Sequence, residues 1–76
     1  MENNTGYITE KARIFLKNDL RAFIKDIYDN YHFCKIKEVM EDWLVVEHFK
    51  GKRVGENIRL FLVDIKIFEE YREERE

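Results

Sequence analysis

The sequence predicts a mainly β domain: an N-terminal α-helix followed by five short antiparallel strands curled into a strongly bent small barrel. Three observations predict it. The run Tyr31 to Phe49 is rich in β-branched and aromatic residues, and the acidic pair Glu41-Asp42 divides it into two strand-sized lengths, the pattern of a β-hairpin. A shorter apolar run precedes it, bounded by Asn18-Asp19 and by Asp29-Asn30, and the second pair tolerates the positive φ of a tight hairpin turn. After it comes a loop with two glycines, then Ile58 to Phe68, which is too long for one strand of a compact barrel.

A helix is expected from Thr9, as N-cap, to about Lys17, with Ile8, Ala12, Phe15 and Leu16 along one side and residues 1–7 frayed. From Leu20 two readings compete. Leu20, Phe23, Ile24, Ile27 and Tyr31 continue the helical spacing, so one helix from Thr9 to Tyr31 is the alternative. A strand from Leu20 to Tyr28 is preferred, because turn-forming pairs bound it on both sides. The next strand, Tyr31 to Met40, puts His32, Cys34 and Ile36 on one face and Phe33, Lys35 and Lys37 on the other. Val39 breaks that alternation, and a β-bulge near Lys37-Glu38 restores it. The third strand, Trp43 to Phe49, is apolar on both faces at its start and is expected to be central. Lys50 to Asn57 forms the longest loop. Ile58 to Val63 and Ile65 to Phe68 make the last two strands around a corner at Val63-Asp64, and residues 69–76 form an acidic tail.

Seventy-six residues make a single domain, and a chain of this length buries only about 60–65% of the surface its unfolded form exposes. With Cys34 as the only cysteine, no intrachain disulfide can supply the missing stability, so self-association is expected to. No stretch approaches the ~20 apolar residues of a membrane span, and Met1 to Thr5 lack the basic and apolar regions of a leader peptide, so a cytoplasmic location is expected. The net charge is −2, but residues 69–76 carry −3 and the remainder is +1. The chain as a whole therefore does not attract nucleic acid; any such binding is local.

The order of elements resembles the Sm-like proteins, the Lsm and Hfq group, whose fold is a strongly bent SH3-type barrel. The resemblance spans about residues 8–70 and rests on the leading helix, on Phe23-x-x-x-Ile27 followed by Asp29-Asn30 where the family has Asp-Gly, on Phe33, and on the closing Asp64-Ile65-x-x-Phe68. It implies a ring-forming protein that binds uridine-rich or adenine-rich RNA. The family's Asp-x-x-x-Asn loop after the second strand is here only Glu41-Asp42, and Leu62-Val63 stands in place of its Arg-Gly pair. The family's base and ribose contacts therefore do not carry over.

For nucleic acid the candidate residues are Lys50, Lys52 and Arg53, which can meet phosphates, with Phe49, Tyr28 and Tyr31 as stacking faces. The plain alternatives are a solvated hairpin tip and a tyrosine clamp across the hairpin. His32, Cys34 and His48 are scattered donors without metal-ligand spacing, and no metal is expected. Gly51-Lys52-Arg53-Val54-Gly55 lacks the spacing and the following helix of a phosphate-cradling loop, so no cofactor is expected either. The chain has no serine, and Cys34 and His32 project in parallel about 7 Å apart, too far for proton transfer. The expected function is thus non-enzymatic: RNA or other single-stranded nucleic-acid binding by a homo-oligomer. The alternative is a protein-interaction or assembly module that works through its sheet edges.

Overall fold

The structure, a computed structural model, describes residues 5–72. Helix α1 (Thr5–Lys17) leads into β1 (Arg21–Asp26), β2 (Tyr31–Val39), β3 (Trp43–His48) and β4 (Asn57–Phe61). A 3₁₀ turn (Leu62–Asp64) then joins β4 to β5 (Ile65–Glu70). The fold is mainly β: one five-stranded antiparallel sheet with an N-terminal helix.

α1 begins four residues earlier than its sequence suggests. Thr9 is not its cap; the Thr9 hydroxyl donates to the Thr5 carbonyl at 2.8 Å, inside the first turns. The physical reason is packing. Ile8, Ala12 and Phe15 form one buried stripe at helical spacing, and covering Ile8 draws the preceding turn into the helix. The helix ends where Asp19 turns left-handed at φ 55. The Leu20 N–H donates to the Phe15 carbonyl at 2.9 Å and the Asp19 N–H to the Leu16 carbonyl at 3.3 Å, a Schellman closure. That closure excludes the single long helix. Residues 1–4 of the expected frayed start lie outside the described residues.

β1 stops at Asp26, short of the expected Tyr28, because the Asp26 carboxylate closes the turn. Its Oδ1 accepts the backbone N–H groups of Tyr28 and Asn30, each at 2.9 Å, while Asp29 adopts φ 68. β2 carries a register shift between Ile36 and Glu38, the bulge that Val39 demanded. At the corner, Leu62 and Val63 leave the ladder for the 3₁₀ turn. The Leu62 N–H donates to the Asp42 carbonyl and the Ile27 N–H to the Asp64 carbonyl, both at 2.9 Å, which ties the corner to two hairpin turns. β5 runs on through Glu69 and Glu70, and the Tyr71 N–H donates to the Arg21 carbonyl. The expected acidic tail therefore begins inside the sheet, and its last residues, 73–76, lie outside the described ones.

The strand order is β4-β3-β2-β1-β5. β2 is central, not β3. β3 is apolar on both sides because its outward residues Trp43 and Val45 join a second, half-buried face. No ladder joins β4 to β5 among the described residues, so the sheet keeps two edges and is not closed into the expected barrel. Its inner face, Ala22, Ile24, Cys34, Ile36, Leu44, Val46 and Leu60, makes the core with the helix stripe, Leu62, Ile65 and Phe68. Phe15 meets Phe68 edge-on at 4.9 Å. Among the described residues, no helix is long and apolar enough to cross a membrane.

Candidate nucleic-acid interface

Strand alternation sends the other half of the side chains to the outer face, and these are aromatic and basic. On β1 they are Arg21, Phe23 and Lys25, and on β2 Tyr31, Phe33 and Lys35. Phe23 stacks on Tyr31 at 5.6 Å and touches Phe33 at 5.4 Å. Tyr71 meets Phe33 at 5.7 Å and Phe49 at 5.2 Å, both edge-on. Cations cap this surface. Lys50 lies 5.3 Å from the centres of Phe33 and Tyr71, Arg21 5.3 Å from Phe49 and Tyr71, and Lys25 5.3 Å from Tyr31. Farther along the sheet, Arg59 sits 4.8 Å over Trp43, which meets Phe61 at 6.1 Å. Partly exposed rings interleaved with cations are the composition of a stacking platform for single strands.

At one end of the sheet the β1–β2 turn and the β3–β4 loop flank a half-open cavity of about 260 Å³, lined by Asn30, Tyr31, His32, His48 and the loop run Lys50 to Arg53. Gly51, at φ +94, lets the loop fold back over the sheet end. Lys50 donates to the Tyr71 hydroxyl at 3.1 Å, whereas Lys52 and Arg53 form no ion pair with any described residue.

Under the cavity runs a buried polar chain. Asp26 Oδ2 lies 3.0 Å from His32 Nε2, and His32 Nδ1 lies 3.0 Å from His48 Nε2. An ionised Asp26 only accepts, so His32 Nε2 carries the hydrogen; with both rings neutral, His32 Nδ1 then accepts from His48 Nε2–H. His48 Nδ1 is buried without a hydrogen-bond partner among the described residues. Burial opposes the Asp26 charge, but the hydrogen bonds from His32, Asn30 and Tyr28 together outweigh it and hold its pKa below the ordinary carboxylate value. His48 is pushed down, first by burial and then by His32, with Arg53 adding and the Glu56 carbonyl and carboxylate opposing. Cys34 is fully buried beside this chain, and burial pushes its thiol up to about 12, which removes it as a nucleophile near neutrality.

The structure brings Lys50, Lys52, Arg53 and Tyr31 to one cavity and places Phe49 on the adjoining platform. Tyr28 stands apart, 68% exposed in the turn. Tyr31 fulfils the clamp reading as well, through its cross-strand stack on Phe23. His32 and His48 do meet, nitrogen to nitrogen at 3.0 Å, and no group of three His, Cys, Asp or Glu that could hold a metal ion occurs among the described residues. The sequence did not point to Asp26 as the third member, nor to Tyr71, Arg21 and Arg59 as outer-face residues; it put Phe33 on that face without marking it as a binding residue. The two-residue alternation of β1 and β2 carries the signal for Arg21 and Phe33; Tyr71 sits in what reads as tail. In comparisons with protein families, curated proteins and solved structures, the chain matches no family model, no curated protein and no solved structure.

Proposed function

We propose that this is a non-enzymatic, cytoplasmic, self-associating small-barrel protein of Sm-like type that binds single-stranded nucleic acid, RNA foremost, on the outer face of its sheet. The observation that carries the reading is the cation-capped aromatic surface of Phe23, Tyr31, Phe33, Phe49 and Tyr71, continuous with the Lys50 to Arg53 loop. Binding exchanges a cation–ring contact, worth about 0.5–1 kcal/mol at an exposed site, for a base–ring contact worth about 1–3 kcal/mol. It also frees the cation for a phosphate. In support of self-association, β4 and β5 are unpaired edges, and pairing them between copies would close the sheet that one chain leaves open.

The test is affinity for short poly-U and poly-A strands at 50 and 200 mM salt. Three phosphate contacts, from Lys50, Lys52 and Arg53, predict a slope of about −2 in log affinity against log salt, a fall of roughly twentyfold over that range. Absence of binding at 50 mM overturns the nucleic-acid reading.

A second reading, an assembly module without nucleic acid, is favoured by the same two edges and by Phe61 and Val63, exposed at the end of β4. It expects a stable oligomer whose mass in solution is indifferent to added RNA.

A further inference from the structure

The cavity at the sheet end joins three features: Lys52 and Arg53, two cations without ion-pair partners among the described residues, a histidine 4% exposed with a ring nitrogen unpartnered among them, and room for a polar group. Its volume of about 260 Å³ is many times the roughly 10–15 Å³ that one water needs, so a tetrahedral oxyanion fits with space for solvent. A buried polar atom left unpaired in a native fold is costly and calls for a partner.

The hydrogen-bond chain sets what that nitrogen can offer a partner. With both rings neutral, Asp26 orients His32, His32 takes the His48 Nε2–H, and His48 Nδ1 is a bare acceptor. One added proton on the pair reverses this, whichever ring holds it. If His48 is the imidazolium, Nδ1 is a donor outright; if His32 is, its Nδ1–H donates to His48 Nε2 and the hydrogen on His48 moves to Nδ1. In both cases Nδ1 of His48, a residue that lines the cavity with Lys52 and Arg53, becomes an N–H donor. The charged and titratable groups around His48 are His32 on β2 with Asp26 behind it, the Cys34 thiol across the ladder, and Arg53 and Glu56 from the loop. Without a ligand, burial, then His32 and Arg53, hold the His48 pKa below its ordinary value, with Glu56 opposing. An anion in the cavity acts in the opposite sense to the positive neighbours.

We propose that this cavity receives a phosphomonoester group, held by Lys52, Arg53 and His48 Nδ1–H, and that the His32–His48 pair takes up one proton as the group binds. The group is the terminal phosphate of a strand lying on the platform, or a free small phosphate. The strand-end source rests on the single-strand reading above, since Tyr31 and Lys50 belong to both the cavity and the platform.

The experiment measures the affinity of one oligouridylate carrying a terminal phosphate at its 5′ end, at its 3′ end, or at neither. Inorganic phosphate is titrated separately while the His48 ring is followed by NMR. A phosphorylated end is expected to bind roughly tenfold tighter or more than the unphosphorylated strand. That advantage is larger at pH 6.5 than at pH 8.5, and Lys52→Ala with Arg53→Ala abolishes it, as does His48→Asn. The paired loop substitutions are exposed and guard against a misfolded His48 variant. A His48 shift with inorganic phosphate but no advantage for phosphorylated strands supports the cavity with free phosphate as its ligand. Strands that bind equally well with or without the phosphate, together with a His48 ring indifferent to inorganic phosphate, overturn the cavity and leave the single-strand reading standing. Phosphate binding without binding of any strand does the reverse. An advantage unchanged between the two pH values contradicts the proton uptake.

Discussion

Replacing Asp26 with alanine is expected to lower the stability of the fold by about 3–5 kcal/mol, since each of the three donors it leaves without an acceptor costs about 1–3 kcal/mol where it is buried. Three groups lose their acceptor at once: the backbone N–H of Tyr28, that of Asn30, and His32 Nε2. A chain of 76 residues has a total stability of about 4–11 kcal/mol, so the variant is expected to be largely unfolded in mild urea. Asp26→Asn should be milder, about 1–2 kcal/mol. Its amide oxygen keeps the two turn hydrogen bonds, and His32 can switch tautomer to accept from the amide nitrogen. Urea midpoints of the three proteins check the order.

The same network sets the response to acid. Asp26 has a folded pKa below its unfolded value, so its contribution is complete above about pH 4 and is lost as pH falls through the folded value. His48 is also held down in the fold. Its contribution is complete above about pH 6.5 and declines below that, because the unfolded chain takes up the proton first. Stability is therefore expected to fall in two stages on acidification. Asp26→Asn removes the lower stage, and urea midpoints from pH 3 to pH 8 show it directly.

Leu44→Ala is expected to cost about 2–5 kcal/mol by opening a cavity in the middle of the core. Leu44 is fully buried on β3, with Val39 of β2 on one side and Leu60 of β4 on the other. Loss of its side chain loosens the junction of three strands, and little backbone can move in to fill the space. Leu44→Met keeps most of the volume and should cost under about 1.5 kcal/mol. If the two substitutions cost the same by urea denaturation, tight packing at this junction is not what holds the sheet together.

The parts of the fold that were legible in the sequence are those written locally. Asp29-Asn30, Glu41-Asp42 and the interruption at Val39 each mark a turn or bulge within a few residues of where it lies. The start of α1 was not legible, because Ile8 is drawn into the helix by the sheet it covers rather than by any cap. Nor was the centre of the sheet. Apolar residues on both faces of β3 signal burial on two sides, and only the structure shows that one of those sides is an aromatic outer face. Tyr71 shows the limit most clearly: it sits among glutamates, yet β5 carries it to Phe33 and Phe49. In the candidate site, the basic loop was visible as composition. The Asp26–His32–His48 chain was not, since its three members come from different strands and only the ladder register brings them together.

Single strands are expected to lie on the outer face of the sheet. Amide chemical-shift mapping of the isotope-labelled protein during titration with a short oligouridylate tests this. Perturbations are expected at Phe23, Tyr31, Phe33, Phe49, Lys50 and Tyr71, with Ile8, Ala12 and Phe15 of α1 unmoved. Perturbations confined to α1 or to the β4 edge, or none at saturating strand, would contradict it.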